Sequence, residues 1–260
     1  MSRWIFLRGL TRDSRHWGEF PAEFQRAFPE ADIVLLDLPG NGRLYPMQSP
    51  DTIPAMVDYC RNALRARHCA PPYHVLAMSL GAMVSVDWAA RYPQEIAACV
   101  LINTSLRPFS PFYQRLRPAN YPVILKLLLS STDASDWEDK ILRMTSNLAE
   151  KAANRAQIVA DWTQWRTECP VSRDNALRQL RAASRYLAPT HKPPPPLLVL
   201  ASANDHLVSP DCSRRLAQRW QTDFAEHPGA GHDLPLDDGP WVVQQVRAWR
   251  QIGDENSYSR

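Results

Sequence analysis

The sequence predicts an α/β protein with a mostly parallel sheet of about six strands and helices on both faces of that sheet. Short apolar runs, bounded by turn residues, recur along the chain. These runs are dense in Val, Ile, Leu and aromatic residues rather than alternating with polar ones, which is typical of parallel strands covered on both faces. Helix-like stretches separate the first four runs, and this succession favours right-handed crossovers between parallel strands.

The strands are predicted at the apolar runs, in chain order at Trp4–Leu7, Asp32–Leu36, Tyr73–Met78, Ala98–Ile102, Leu197–Ala201 and Thr222–Glu226. The helices between the first four strands are predicted at His16–Phe28, Thr52–Arg67 and Leu80–Tyr92. Strand and helix therefore alternate through the first part of the chain, as an α/β core requires.

The pattern changes after Asn103, because helical periodicity replaces strand-like runs as far as a run of four prolines. Four helices are predicted in this segment, at Tyr121–Leu129, Asp133–Thr145, Glu150–Thr167 and Ser172–Tyr186. Asp133 and Ser172 are the residue types that cap helix N-termini, and each precedes an amphipathic pattern. The segment is therefore predicted to be an all-helical insertion.

Chain length is consistent with one large core that carries this insertion. The 260 residues have a mass of 29.6 kDa, and a chain of this size buries roughly 70–75% of its unfolded surface without disulfides or metals. We predict a core formed by residues 1–103 and 191–260, with the helical insertion over residues 104–190.

Composition and charge exclude several classes of protein. With 45% hydrophobic and 22% charged residues, the chain is neither disordered nor fibrous. The apolar stretch Val123–Leu129, interrupted by Lys126, is far shorter than the ~20 residues of a membrane-spanning helix. The net charge is only +3, and no clustered basic module accompanies it, so nucleic-acid binding is not expected.

The cysteines and the N-terminus indicate where the protein is expected to work. The five cysteines are scattered and contain no CxxC pair, which favours free thiols over a disulfide framework or a zinc site. Only four consecutive apolar residues precede Arg8, too few for a signal-peptide core of ~7–15 residues. We therefore expect a cytoplasmic protein.

The pentapeptide AMSLG, from Ala77 to Gly81, lies between the third predicted strand and the helix that follows it. A serine on such a tight turn points its hydroxyl away from the sheet, and the crowded turn needs small residues two before and two after it. Ala77 and Gly81 meet that need. The alternative is a serine that only caps the helix, but the flanking strand and helix favour a nucleophile at Ser79.

This segment resembles the nucleophile elbow of the α/β-hydrolase superfamily, although Ala77 stands where glycine is usual. The family orders its triad as nucleophile, acid and histidine, with the acid after a later strand and the histidine after the last one. The loop ANDHLVSP resembles the acid-bearing loop and implies Asp205, and GAGHDLP resembles the histidine loop and implies His232. The resemblance therefore implies a triad of Ser79, Asp205 and His232.

The chemistry needs all three residue types. A serine is a poor nucleophile at its free pKa, so an imidazole must take its proton, and a carboxylate must hold that imidazole in the right tautomer and stabilise the imidazolium. Taken singly, Asp205 is more often a capping carboxylate and His232 an ordinary loop residue. The order of the three matched loops favours the catalytic interpretation. Among the other histidines His16 stays open, because its loop follows the first strand and could border the pocket.

The resemblance also implies two backbone donors for the oxyanion. One is the N–H of Leu80, immediately after the serine. The other is the N–H of Leu10, in a loop where relatives usually read His-Gly-x and this chain has Arg-Gly-Leu from Arg8 onward. A buried arginine needs a partner carboxylate. Three carboxylates remain open as that partner: Asp13, Asp37 and Asp233.

In this superfamily a lid or cap occupies the place of the predicted insertion. Residues 104–190 are therefore expected to cover the serine, exclude water and set acyl specificity. The substrate-binding candidates in this insertion are Phe109, Phe112, Tyr113 and Trp137, and further apolar candidates are Leu106, Tyr121, Trp162 and Trp165. For each of them, packing in the core is the alternative.

The expected function is that of a cofactor-free serine hydrolase, which cleaves a carboxylic ester or thioester of a small or medium acyl substrate through an acyl-enzyme on Ser79. C–C bond hydrolases and acyltransferases of the superfamily use the same triad, and a receptor-like member can retain it, so these remain alternatives. A small-molecule acyl substrate is the expected partner. No metal or organic cofactor is expected, and the oligomeric state stays open.

Overall fold

The computed structural model describes residues 2–129 and 133–258, and within them six strands form one sheet. The strands are β1 (Ser2–Leu7), β2 (Ala31–Leu36), β3 (Tyr73–Met78), β4 (Ile96–Ile102), β5 (Leu197–Ser202) and β6 (Asp223–His227). Their order across the sheet is β2-β1-β3-β4-β5-β6, and every neighbouring pair is parallel. The predicted α/β class and the six parallel strands are confirmed.

Helices connect the strands and fill the segment between β4 and β5. The helices of the strand-rich part are α1 (Phe20–Ala27), α2 (Ile53–Ala66), α3 (Leu80–Arg91), α9 (Asp211–Trp220) and α10 (Leu234–Tyr258). Those between β4 and β5 are α4 (Phe112–Arg115), α5 (Tyr121–Leu129), α6 (Ala134–Thr145), α7 (Arg155–Glu168) and α8 (Arg173–Arg185). Helix α10 is interrupted at Asp238, whose φ of −152° and ψ of 73° are not helical. None of the described helices has both the length and the apolar character to cross a membrane.

Two of the predicted helices have different limits in the structure. The helix predicted over His16–Phe28 is broken at Gly18, because its φ of +53° leaves the helical region. A 3₁₀ turn (Ser14–Trp17) precedes the break and α1 follows it. The helix predicted over Glu150–Thr167 begins at Arg155. The predicted N-caps are in place, since Asp133 accepts from the Ser135 N–H and Ser172 accepts from the Asn175 N–H.

The core lies on both faces of the sheet, because successive side chains of each strand point to opposite sides. Ile5 and Leu7 of β1 pack in a buried cluster with α2, α3 and α9. Trp4 and Phe6 of the same strand pack in a second cluster with α1 and α10. This arrangement explains why the central parts of β1 to β5 are continuous apolar runs rather than alternating sequences.

The helices between β4 and β5 have a small apolar cluster of their own. It contains Leu142 of α6 and Val159 and Trp162 of α7, and Leu236 of α10 packs against it. Asp237 of α10 adds polar contacts at the same place. Its carboxylate accepts hydrogen bonds from backbone N–H groups, namely those of Asn147, Leu148, Ala149 and Gly231. These contacts attach the helical segment to the loop between β6 and α10.

The sheet also has an open cleft at its amino-terminal edge, with a volume of about 540 Å³. Arg3, Phe28, His74 and Arg250 are among its lining residues. In a parallel sheet the loops that follow the strands all lie at the opposite, carboxyl edge. The loops with the predicted site residues follow β1, β3, β5 and β6, so the candidate site lies away from this cleft.

Candidate active site

Ser79 lies on a sharp turn between β3 and α3. Its φ of 53° and ψ of −114° are rare for a residue with a side chain, which is the strained geometry of a nucleophile elbow. Two hydrogen bonds fix the backbone of the turn: the Ser79 N–H donates to the Ile102 carbonyl (2.9 Å), and Thr104 Oγ1 donates to the Ser79 carbonyl (3.2 Å). Within the described residues, Ser79 Oγ has no hydrogen-bond partner and does not cap α3. The helix-cap alternative is therefore not what the structure shows.

Two glycines make room for this turn. A Cβ at Gly81 would lie 2.6 Å from the Leu7 carbonyl oxygen, so any larger residue would push α3 away from the end of β1. A Cβ at Gly9 would lie 3.2 Å from the Ser79 Cβ and 3.8 Å from its Oγ. The loop after β1 therefore passes directly beside the serine. This explains why a small residue is needed two positions after Ser79, as the sequence pattern indicated.

Asp205 and His232 are hydrogen-bonded to each other. His232 Nδ1 lies 2.7 Å from Asp205 Oδ2, and both side chains are about 2–3% exposed. Asp205 Oδ1 accepts from the N–H groups of Leu207 (2.8 Å) and Val208 (2.9 Å), so both carboxylate oxygens are engaged. A carboxylate acceptor at Nδ1 selects the tautomer that carries its proton there. Nε2 of His232 is then left free to accept a proton.

Asn103, which directly follows β4, holds the histidine loop in place through hydrogen bonds. Its φ of 46° is in the left-handed region, and its side-chain amide donates to the carbonyl of His232 (2.8 Å) and to Ser202 Oγ (3.0 Å). Its Oδ1 accepts from the Ser202 N–H (2.8 Å). The neighbouring residue, Thr104, binds the Ser79 carbonyl. The end of β4 thus connects the serine turn to the histidine loop.

The two predicted oxyanion donors lie beside the serine and are not used elsewhere. Leu80 is the first residue of α3, where N–H groups have no partner within the helix. Leu10 follows Gly9, which packs on Ser79. Among the described residues, neither the Leu10 nor the Leu80 N–H donates to another protein group. Two backbone N–H groups in the residues next to Ser79 and Gly9 therefore have no acceptor among the described residues.

The structure decides the partner of Arg8, which the sequence left open among three carboxylates. Arg8 Nη1 donates to Asp233 Oδ1 (3.0 Å) and Nη2 donates to Oδ2 (2.5 Å). Both side chains are about 3% exposed, and the guanidinium carbon lies 4.7 Å from the Trp17 ring centre. Burial acts to raise the pKa of Asp233, but the charge of Arg8, its hydrogen bonds and the nearby charge of Arg12 act together in the opposite direction and hold that pKa below its usual value.

A second buried ion pair joins the loop after β1 to the helical segment. Arg12 Nη1 donates to Glu138 Oε2 of α6 (2.6 Å), and Glu138 is 1% exposed. The Arg12 guanidinium lies over the Trp162 ring at 4.2 Å. Burial and the neighbouring Arg12 charge lower the pKa of His16 to about 4, so this ring is neutral near pH 7. Sequence analysis missed Arg12 and Glu138, because nothing in the local pattern of either residue indicates the other.

Replacing Glu138 by glutamine is expected to lower the free energy of unfolding by about 3–5 kcal/mol. The reason is that the change leaves the largely buried Arg12 guanidinium, and Arg166 beside it, without their carboxylate. Urea denaturation followed by circular dichroism measures this difference. Glu150→Gln is the matched control, because Glu150 pairs with Arg155 at the surface of the same helical segment. Equal losses in the two variants would contradict a special role for the buried pair.

The four substrate-binding candidates differ in their surroundings. Phe109 packs edge to face on Trp220 of α9, with ring centres 5.4 Å apart, and so belongs to the core. Phe112 and Tyr113 are 74% and 50% exposed. Trp137 is partly buried in α6 and carries the Arg166 guanidinium 3.8 Å above its ring. Of the four, Trp137 alone adjoins a residue, Glu138, that contacts the loop after β1.

Two other histidines, His227 and His16, contact residues other than Asp205 and Ser79. His227, at the end of β6, has Nε2 3.1 Å from Asp238 Oδ2, and its Nδ1 accepts from the Ala230 N–H. His16 packs against Trp162 and Trp165. Across residues 2–129 and 133–258, no three or more His, Cys, Asp or Glu side chains are grouped so as to hold a metal ion.

Comparison with a family model agrees with this architecture. The model of the alpha/beta hydrolase family matches residues 4–245, which is nearly the whole chain. A curated relative, the pimeloyl-[acyl-carrier protein] methyl ester esterase of Chromobacterium violaceum, is 32% identical over 95 residues. That match covers 35% of this chain and 34% of the relative, so it spans about a third of the relative's length.

Solved structures of low sequence identity share the fold. A thermophilic esterase from Thermogutta terrifontis superposes with a TM-score of 0.75 at 18% identity, covering 97% of this chain and 90% of the other. The 2-hydroxy-6-oxo-6-phenylhexa-2,4-dienoate hydrolase of Rhodococcus sp. strain RHA1 gives a TM-score of 0.75 at 17% identity, covering 95% and 90%. At these identities the structural similarity establishes the fold and does not identify the reaction.

Proposed function

The chain belongs to the alpha/beta hydrolase family, and from that premise we propose that it is a serine hydrolase of carboxylic esters, with Ser79, Asp205 and His232 as its triad. The observation that carries the proposal is the strained turn at Ser79, at the same edge of the sheet as the hydrogen-bonded pair of Asp205 and His232. Two of the similar proteins are an esterase and a methyl ester esterase, which supports the same class of reaction.

In the proposed reaction, His232 Nε2 takes the proton of Ser79 as Oγ attacks the ester carbonyl carbon. The new C–O bond gives a tetrahedral intermediate, whose oxyanion accepts hydrogen bonds from the Leu10 and Leu80 N–H groups. Because Ser79 Oγ has no partner in the free protein, its bond to the imidazole forms as the substrate is positioned. Asp205 stabilises the imidazolium that results.

Collapse of the tetrahedral intermediate completes the first half of the reaction, and attack by water begins the second half. The imidazolium of His232 donates its proton to the leaving alcohol, the C–O bond to that alcohol breaks, and the acyl group remains on Ser79. A water molecule then attacks the acyl carbon, with His232 taking its proton. The bond between the acyl carbon and Ser79 Oγ breaks, His232 returns the proton to Oγ, and the carboxylic acid leaves. Both halves use the same two backbone donors, so no further group is needed for the oxyanion.

We propose residues 104–190 as the cap of this site, with the rest of the chain as its core. The contacts between Glu138 and Arg12, and between Asp237 and residues 146–149, support this arrangement. They hold the helical segment against the loops after β1 and β6, which also carry Leu10 and His232. A cap in this place would limit the access of bulk solvent to the site and enclose the acyl group.

Turnover of p-nitrophenyl acetate, butyrate and octanoate tests the proposed function, with the matching acyl thioesters assayed in parallel. We expect ester hydrolysis with an initial burst of p-nitrophenol, because an acyl-enzyme forms before water attacks. Hydrolysis of thioesters alone would change the substrate class. Saturable binding of acyl compounds without turnover would favour the receptor-like alternative and contradict the proposal.

The acyl-chain preference is expected to depend on Trp137. Trp137→Ala should shift the kcat/KM ratio of octanoate to butyrate esters by at least about 10-fold, because each methylene accommodated in an apolar pocket contributes ~1–3 kcal/mol of discrimination. Phe112→Ala is the matched control, since Phe112 is 74% exposed. A ratio that stays the same in Trp137→Ala would show that this part of the helical segment does not contact the acyl chain.

A further inference from the structure

The ion pair of Arg8 and Asp233 connects the loop after β1 to the loop after β6. The proposed reaction needs these two loops in a fixed relative position. Arg8 directly follows β1 and begins the loop that carries the Leu10 donor, and Asp233 directly follows His232. The two side chains lie 225 positions apart in the sequence and meet through two hydrogen bonds. Asp233 is thus adjacent in sequence to His232, and Arg8 lies two positions before Leu10.

We propose that Arg8 and Asp233 form a positioning pair, which sets the oxyanion loop against the histidine loop and compensates the carboxylate next to His232. This inference rests on the proposed function and deepens it, because it assigns a role to the arginine that replaces the usual histidine after β1. Neither side chain touches the substrate. The pair acts through Leu10 on one side and His232 on the other.

The geometry of the pair is suited to fixing a position. Two parallel N–H···O bonds between a guanidinium and a carboxylate set both the distance and the relative plane of the two groups. Trp17 packs against the guanidinium, 4.7 Å from its central carbon. The backbone of Asp233 is held as well, since its N–H donates to the Thr145 carbonyl (2.7 Å) and its carbonyl accepts from the Leu236 N–H (3.1 Å). Neither partner can move alone without breaking buried hydrogen bonds.

The charges around His232 explain why compensation matters. The carboxylates in this region are Asp205, Asp233, Glu138 and Asp237, and the Asp237 carboxylate accepts from the Gly231 N–H. The cations are Arg8, Arg12, Arg166, which also pairs with Glu138, and Arg117, whose Nη1 donates to the Asp205 carbonyl. His16 is neutral near pH 7. With Arg8 bound to Asp233 and Arg12 bound to Glu138, Asp205 is the carboxylate that acts on the imidazole. Removing either member of the Arg8–Asp233 pair would change the charge that the imidazole experiences.

Four variants separate positioning from charge. Arg8→Lys keeps the positive charge and removes the two-point hydrogen bonding. Asp233→Asn and Arg8→Gln each remove one charge and leave the other uncompensated, and the Arg8→Gln/Asp233→Asn double variant removes both. Arg61→Lys is the matched control, because Arg61 makes the same two-point contact with Glu95 (2.8 and 2.7 Å) and does so outside the candidate site.

The readouts are kcat and KM for p-nitrophenyl butyrate, the pH of half-maximal activity on the acidic side, and the thermal midpoint. Arg8→Lys should lower kcat by about 10-fold or more with KM nearly unchanged, since a small displacement of catalytic groups has a large effect on rate. Arg8→Gln should raise the half-maximal pH by about 0.5–1 unit and Asp233→Asn should lower it by as much. The double variant should return to the wild-type pH value with kcat still reduced.

The control distinguishes this role from a purely structural one. Arg61→Lys should lower the thermal midpoint without changing kcat or the pH profile. If Arg8→Lys and Asp233→Asn behave in the same way as Arg61→Lys, the pair is structural and the proposal is wrong. If Arg8→Gln does not fold, Arg8→Lys and Asp233→Asn still decide between the two roles, because one tests positioning and the other tests charge.

A measurement without turnover separates this inference from the proposed function. The imidazole of His232 can be titrated by NMR, with its signal assigned by comparison with His232→Gln. Opposite displacements of this titration in Arg8→Gln and Asp233→Asn, and none in Arg61→Lys, would support the electrostatic coupling even in a protein that hydrolyses no ester. Absence of ester turnover in the wild type would contradict the proposed function, and an unmoved titration would contradict the coupling.

Discussion

Replacement of Ser79 by alanine is expected to abolish covalent labelling by a fluorophosphonate probe and to lower ester turnover by about 10⁴-fold or more. The thermal midpoint should remain nearly unchanged. The physical reason is that Ser79 Oγ is partly exposed and, within the described residues, bonds to no protein group. Its removal therefore eliminates the nucleophile without removing a contact that stabilises the fold. Gel fluorescence after labelling and calorimetry provide the two measurements.

Ser85→Ala is the matched control for this change. Ser85 lies on the same helix, α3, is fully buried, and donates from its hydroxyl to the Gly81 carbonyl (3.1 Å). Its replacement should leave labelling intact and affect only stability. Labelling of Ser79→Ala at another serine would show that the nucleophile lies elsewhere, and the elbow assignment would then be wrong.

Replacement of Asp205 by asparagine is expected to cut turnover by up to ~10⁴-fold while the fold remains intact. The side chain keeps its size, and its amide oxygen can still accept the bonds from the Leu207 and Val208 N–H groups. Its NH₂ group, however, donates where the carboxylate accepted, so it favours the His232 tautomer with the proton on Nε2. That tautomer cannot take the proton of Ser79. Steady-state kinetics and circular dichroism measure the two effects.

Asp238→Asn provides the control for this variant. Asp238 Oδ2 lies 3.1 Å from His227 Nε2, so it forms a second carboxylate–imidazole pair in the same protein. The proposed reaction does not use that pair. Asp238→Asn should therefore keep its activity within a few-fold of wild type. Equal activity in Asp205→Asn and Asp238→Asn would show that the acid of the triad is a different residue.

The strands could be predicted from the sequence because their signals are local, whereas the proposed triad was implied by the resemblance of three loops to those of the α/β-hydrolase superfamily. Five of the six strands contain four to seven consecutive apolar residues, whereas β6 has only Phe224 and Ala225. In a sheet covered on both faces such a run is recognisable without information from distant residues. The turn at Ser79 is specified by its small neighbours, and Gly81 shows why, since a Cβ there would meet the Leu7 carbonyl. Asp205 and His232 were assigned by their loops, which follow strands in a fixed order.

The first and last residues of the helices were harder to predict from the sequence, because they depend on single backbone positions and on packing. Gly18 adopts a φ of +53° and divides the first predicted helix, although the apolar pattern continues across it. The start of α7 at Arg155 rather than Glu150 follows from a 3₁₀ turn, Ala149–Lys151, whose first N–H, that of Ala149, donates to Asp237 of α10. A hydrogen bond to a residue almost 90 positions away leaves no signal in the local sequence.

The sequence alone thus determined the class of fold, the six parallel strands and the loops from which a serine, an aspartate and a histidine approach one edge of the sheet. Only the tertiary structure decided that Arg8 pairs with Asp233 rather than Asp13 or Asp37, and that Glu138 reaches Arg12. The physical reason is that secondary structure follows from residue periodicity over a few turns or strands. Buried ion pairs depend instead on which distant side chains packing brings within hydrogen-bonding distance, and local sequence patterns do not carry that information.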